Sequence, residues 1–256
     1  MNDYLGLIGF GVAAFAVMLI FLFWFWAKQT GNPPVLRDVG AYKDLPQRIG
    51  EAVENGKRIH VSLGSGAIGT QKTTAALAGL TVLDIIAESA TLSDLPPVIT
   101  TGDGSSAFLA QDALRRAYTQ LNAMDRYDHL GGRMAGATPL SYAAGVMSTF
   151  SDENVTASLL IGTFGNEVAL MADAGSRQED AQLIIGTDDV QAQAAAYVSA
   201  DNVLIGEDVY ASGAYLVGGK PFHKASLQAQ DVLRVLVIVA ILGGVALKLI
   251  GVVVIP

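Results

Sequence analysis

Two uncharged runs at the ends of the chain constrain its fold more than any motif between them. Tyr4 to Ala27 is 24 residues without an acid or a base. As a helix it would rise about 1.5 Å per residue, about 36 Å in all, enough for a hydrocarbon core of about 30 Å with some tilt. Trp24 and Trp26 stand at its C-terminal end, where indoles favour the headgroup layer. Val235 to Pro256 is a second apolar run, broken only by Lys248. These ends lift the mean hydropathy to +0.41 and the apolar share to 51%. A cleaved signal peptide is the competing reading of the first run. Against it, nothing basic precedes the run, it exceeds an h-region of about 7–15 residues, and it ends in FLFWFW rather than in small residues.

The flanking charges give an orientation. Only Asp3 precedes the first run, whereas Lys28, Arg37, Lys43, Arg48, Lys57 and Arg58 follow it, and Lys220, Lys224 and Arg234 precede the second. Basic residues stay on the cytoplasmic side. The expected layout is a transmembrane helix over 1–27, a connector over 28–57 and a cytoplasmic α/β domain over 58–218. A juxtamembrane segment over 219–230 and a second transmembrane helix over 231–256 complete it. Both termini lie outside, and the membrane is the inner (cytoplasmic) one. A net charge of −8 and no basic stripe exclude a nucleic-acid surface, which needs clustered Lys and Arg. The chain has no cysteine, so nothing is read about its redox compartment.

In the connector, GNPP (31–34) stops the first helix, residues 44–53 make a short helix, and ENGKR (54–58) is a turn. Beyond it, short apolar strands are expected at 58–63, 97–101, 157–161, 182–186 and 202–206. Ala-rich helices are expected at about 70–92, 105–122, 164–177, 189–199 and 208–217, with an extra one at 139–150. Strands apolar on both faces imply a sheet covered on both sides. A weak repeat, LLIGTFGNE, LIIGTDDVQ and VLIGEDVYA, supports one βα unit per period, with Gly162, Gly186 and Gly206 at its turns. The predicted fold is α/β, a Rossmann-like doubly wound parallel sheet, flanked by one N-terminal and one C-terminal transmembrane helix.

EAVENGKRIHVSLGSG (51–66), placed after an N-terminal span and before the LLIG and LIIG turns, resembles a family of bacterial membrane proteins. That family carries a central domain of unknown function between terminal spans. The resemblance implies membrane attachment and an α/β domain, and it assigns no catalytic residue.

HVSLGSGAIGTQKTT (60–74) places Gly64, Gly66 and Gly69 in the G-x-G-x-x-G spacing of a dinucleotide turn, between a strand and a helix. Glycines there permit a tight turn and close backbone approach to a pyrophosphate. The fingerprint's later acid is absent from a strand end, since Asp84 falls in a helical run. As a P-loop the stretch has Thr70 at the lysine position and Lys72 two residues late. A plain strand-to-helix turn is the preferred reading, and a phosphate cradle formed by Gly64, Ser65, Gly66, Gly69 and Thr70 is the alternative.

The carboxyl ends of the strands, where open α/β sheets bind ligands, should also gather Asp103, Ser105, Thr163, Asn166, Glu167, Thr187, Asp188, Asp189, Glu207 and Asp208. Such an acidic rim repels phosphate unless a divalent cation mediates. Helix capping and dipole complementation explain the same residues without a ligand. Residues 122–139 break the βα rhythm as a long loop with Asp125, Arg126, Tyr127, Asp128, His129 and Arg133. His129 there has neither a nucleophile nor a metal triad beside it. His60 reads as core and His223 as interfacial. In the second span Ala240, Gly243 and Gly244 form a small face suited to close helix packing, and Lys248 either snorkels or pairs within an oligomer.

The sequence thus favours a membrane-anchored α/β domain acting as an oligomeric assembly or scaffold component on the cytoplasmic face, with lipids and its own copies as partners. The alternative is an enzyme or sensor binding a small nucleotide or a divalent cation. No catalytic residue and no cofactor is assigned.

Overall fold

The computed structural model describes residues 2–30, 36–178, 181–216 and 221–249. The GNPP stop and the last residues of the second apolar run lie outside them. The chain divides into two compact units: the α/β unit Asp38–Val217, and a helical unit from the two ends of the chain.

In the helical unit, α1 (Asn2–Thr30) and α9 (Pro221–Leu249) lie against each other. Phe21 meets Trp24 and Phe222 edge-on, at centroid distances of 6.4 and 6.5 Å. Both helices are long and apolar enough to cross a membrane, over Gly6–Gln29 and Phe222–Leu249. A third helix, α3 (Thr73–Ala90), passes the same test of length and composition, yet 56% of that stretch is buried inside its own unit. Its Ala75, Ala76, Leu80, Val82, Leu83, Ile86 and Ala87 are core of the α/β unit.

That unit opens with α2 (Gly40–Glu54), four residues longer at its start than the sequence suggests, and buries Ala41, Tyr42, Leu45, Ile49 and Ala52 at a 3–4 residue spacing. The strands are β1 (Arg58–Gly64), β2 (Val98–Thr101), β3 (Gly132–Met134), β4 (Val155–Thr163), β5 (Gln182–Thr187) and β6 (Asn202–Ile205). Between them run α3, α4 (Gly104–Gln120), α5 (Pro139–Asp152), α6 (Val168–Ser176) and α7 (Val190–Ser199). The sheet is six-stranded in the order β3-β2-β1-β4-β5-β6, and every pairing is parallel.

Helices cover both faces. On one side α3 packs on β1 and β4, and α4 on β2 and β3. On the other, Tyr142, Val146 and Phe150 of α5, Met171 of α6 and Ala192 and Ala196 of α7 close over Leu160, Leu183 and Ile185. Fully burying each large apolar side chain contributes about 1.5–3 kcal/mol. Two-sided burial is why β5 and the middle of β4 read as apolar runs, and why even the polar His60 and Ser62 of β1 are fully buried.

Three expectations are corrected. The stretch 122–139 is no structureless loop: it holds two 3-10 turns (Met124–Arg126 and His129–Gly131) and the edge strand β3. The helix expected at 208–217 is a 3-10 turn, Gly206–Ala211, followed by the single turn α8 (Ser212–Tyr215). The helix expected from 164 starts at Val168, because Gly165–Glu167 forms a local turn in which Gly165 N–H donates to Glu167 Oε1 at 2.9 Å.

Candidate functional site

Strand order reverses between β1 and β4, which pair directly although β2 and β3 intervene in sequence. Open parallel sheets form a crevice outside the strand ends at such a point. The glycine loop, Gly64 to Lys72, leaves β1 there.

The loop is closely tied to its surroundings. Gly64 has φ +73°, and a Cβ on it would stand 2.3 Å from Thr163 O. Its N–H donates to Tyr142 Oη at 3.1 Å, while Ser65 N–H donates to Thr163 O at 2.8 Å. Ile68 N–H reaches Ser105 Oγ at 3.1 Å, and Ser106 Oγ donates to Gly66 O at 2.8 Å. The outer half is a turn closed on itself: Gly69 N–H donates to Thr73 Oγ1 at 2.8 Å, and Thr70 Oγ1 donates to Ala67 O at 2.8 Å. Helix α3 begins only at Thr73, without a side-chain cap. The loop is therefore longer than the dinucleotide turn, and many of its N–H groups already serve protein acceptors. A Cβ on Gly69 would meet nothing within 4 Å, so Gly69 does not set helix-to-strand packing. Gly79 of α3 has that place, where a Cβ would stand 2.3 Å from Ile161 O.

The structure brings Gly64, Ser65, Gly66, Asp103 and Asp188 to one edge and leaves Gly69 and Thr70 on the outer, exposed turn. Asp103 caps α4, accepting from Ser105 N–H at 2.9 Å and Ser106 N–H at 3.4 Å, and its carboxylate also takes the Ser105 hydroxyl. The Ser105 hydroxyl, then the backbone donors of Ser105, Ser106 and Gly104, hold its carboxyl below the usual range despite some burial. Asp189 caps α7 through Gln191 and Ala192 N–H, at 2.9 and 3.0 Å. Thr187 is fully buried, its Oγ1 3.2 Å from both Phe164 N and Phe164 O. Asp188 takes the Thr163 hydroxyl on Oδ2 at 3.3 Å. Its Oδ1 is buried with no hydrogen-bond partner among the described residues.

Of the remaining candidates, His129 is exposed with Nδ1 3.8 Å from Asp128 Oδ1, and Asp128 is itself occupied with Leu130 N–H at 2.8 Å. Among the described residues no three His, Asp or Glu gather as they would around a metal ion. Tyr142, which falls in the helix expected at 139–150 and belongs to no motif, proves central. Its hydroxyl receives Gly64 N–H, lies against Ser62 Oγ and donates to Thr100 O at 3.4 Å. Burial pushes its pKa up to about 12, so it remains a neutral tether. No spacing signal marks it.

Large exposed apolar side chains stand in the β1–α3 loop and in the N-terminal parts of α4, α5 and α7: Ile68, Phe108, Leu140 and Val190. In the helical unit, Ala240 and Lys248 are exposed, and a Cβ on Gly243 or Gly244 would meet no atom within 4 Å. Gly6, Gly9 and Gly11 of α1 are equally open. The small faces of both helices thus stand free within one chain.

No curated protein and no solved structure matches this chain. A family model described as a domain of unknown function, DUF6754, matches residues 6–256. With nearly its whole length covered, spanning both apolar end helices and the sheet between them, the chain belongs to the DUF6754 family.

Proposed function

We propose that this protein is a membrane-anchored assembly or scaffold component, working as a homo-oligomer with its α/β unit on the cytoplasmic side. One observation carries this reading: loop donors at the carboxyl edge that would hold a phosphate bond the protein itself, while Ile68, Phe108, Leu140 and Val190 project uncovered. Exposed apolar groups of this size suit association better than solvation. The open small faces of α1 and α9 support close packing of helices from different copies. Asp103 and Asp189 have a complete role as helix caps.

Native mass spectrometry of protein extracted gently from its own membrane tests the reading. A homo-oligomer without added mass is the expected result, and a monomer at every detergent concentration would overturn it. Replacing Phe108 and Leu140 by Ser should lower the subunit number while the fold persists.

A second reading has specific support. The strand order β3-β2-β1-β4-β5-β6 supports a Rossmann-like doubly wound reading, with a glycine turn at the reversal, and Asp188 Oδ1 has no donor among the described residues. On this reading a nucleotide or divalent cation binds beside Gly64, Ser65, Gly66 and Asp188, and the same spectrum would carry its mass. Gly66→Val is a poor discriminator, because a Cβ there already stands 3.0 Å from Lys72 O. Asp188→Asn is cleaner, since it keeps the shape and removes the charge.

A further inference from the structure

The opposite, amino-terminal edge of the sheet holds a cavity of about 500 Å³, lined by Arg48, Glu51, Asn55, Lys57, Thr156 and Gln182. Its size falls in the usual range for small-molecule sites, about 300–1,000 Å³. Helix α2 forms one wall and ends there in a closed turn. Gly56 N–H donates to Val53 O and Lys57 N–H to Ala52 O, with Gly56 at φ +61°, the pattern that satisfies terminal helix carbonyls. The negative end of the helix therefore presents few bare acceptors to the cavity.

Its charges are unbalanced in a useful way. Glu51 stays a carboxylate: Oε1 receives Gln47 Nε2 at 2.8 Å and Oε2 receives Gln182 Nε2 at 3.4 Å, and these two bonds, then the Arg48 charge, hold its carboxyl below the usual range, so the walls set two cations against one anion. Neither the Arg48 guanidinium nor the Lys57 ammonium is ion-paired among the described residues. Gln182 Oε1 is buried and has no donor among the described residues. The walls thus offer two cationic donor groups from separate segments, a waiting acceptor, and the amide of Asn55 and hydroxyl of Thr156. A phosphate can accept from both cations at once, and an adjacent hydroxyl can complete Gln182.

We infer that this cavity is a binding site for a phosphate ester bearing a neighbouring hydroxyl, of glycerol-phosphate type, held by Arg48 and Lys57 and oriented by Gln182. The chemistry is shared by a free sugar or glycerol phosphate and by a phosphatidylglycerol headgroup. The site lies across the sheet from the glycine loop and does not depend on the function proposed above.

The test uses the full chain in phosphatidylcholine nanodiscs, with thermal midpoint as readout. Glycerol 3-phosphate should raise the midpoint, inorganic phosphate should do so at higher concentration, and glycerol should not. Arg48→Gln and Lys57→Gln should each weaken binding about tenfold, equivalent to about 1.4 kcal/mol, and Gln182→Leu should erase the preference for the ester over inorganic phosphate. A midpoint raised only by nanodiscs containing phosphatidylglycerol, and lost in Arg48→Gln, would support the site with lipid as the source. No shift from either source overturns the inference, as does a shift that all three variants retain. If one variant fails to fold, the other two still decide the matter.

Discussion

A methyl group at position 64 would collide with the Thr163 carbonyl, whereas at position 69 it would meet open space. Both glycines have positive φ, +73° and +89°, a conformation that costs an L-residue about 1–2 kcal/mol. Gly69→Ala should therefore lose about 1–2 kcal/mol of stability. Gly64→Ala should lose distinctly more, since β1 and β4 must also separate. Urea unfolding of the two variants checks the order, and equal losses would contradict it. A second residue-scale prediction concerns His60. It is fully buried, with Nε2 2.8 Å from Thr100 Oγ1 and its ring edge-on to Phe150. Burial first, and the Arg133 charge second, push its pKa down to about 3 from 6.5. Between those values the unfolded chain binds the extra proton, so stability is full above about pH 6.5 and falls as pH drops toward 3. His60→Gln keeps an amide beside Thr100 and removes the titration. Its midpoint in urea should change less than the parent's between about pH 7 and about pH 5; an unaltered slope would place the acid sensitivity elsewhere.

At the level of elements, the acids Asp103 after β2 and Asp189 after β5 act as N-caps of α4 and α7. Asp103→Ala and Asp189→Ala should each destabilise by about 1 kcal/mol, and the Asn variants should recover most of that, because Asn caps equally well. Chemical denaturation distinguishes this from a charge requirement, under which Asn would fail as Ala does. These caps were legible in the sequence as Thr, Asp or Asn before an Ala-rich run, and the central strands were legible from short apolar stretches such as Leu159, Leu160 and Ile161 of β4 and Leu183, Ile184 and Ile185 of β5. Strand β3 was not. Three residues, Gly132 to Met134, are too few to show a period of two, and what holds them comes from distant positions. Gln111 Nε2 donates to Gly132 O at 2.7 Å, and Arg133 pairs with Glu153 at 2.9 Å, which also holds Arg58. The candidate site divides in the same way. The glycine spacing is local and visible, but the use of its N–H groups depends on Tyr142, Ser105 and Thr163, 78, 37 and 98 residues away in their respective pairs.

For the whole molecule, the two apolar end helices and the asymmetry of their flanking charges make one falsifiable statement about placement. Lys28, Arg37, Lys43 and Arg48 follow the apolar run of α1, while only Asp3 precedes it, so the α/β unit should face the cytoplasm and the N-terminus the other side. The chain contains no cysteine, which allows single reporters without a background. Asn2→Cys places a thiol at the start of α1, and Asp125→Cys places one on an exposed 3-10 turn of the α/β unit. In cells whose outer barriers are opened but whose inner membrane is intact, a membrane-impermeant maleimide should label Asn2→Cys and spare Asp125→Cys until lysis. The reverse pattern would invert the orientation and place the cavity by Arg48 and Lys57 on the non-cytoplasmic side, away from the cell's pool of phosphate esters. Labelling of both sites before lysis would show that α1 and α9 do not carry the chain across a membrane, and their open small faces would then be surfaces for protein rather than lipid.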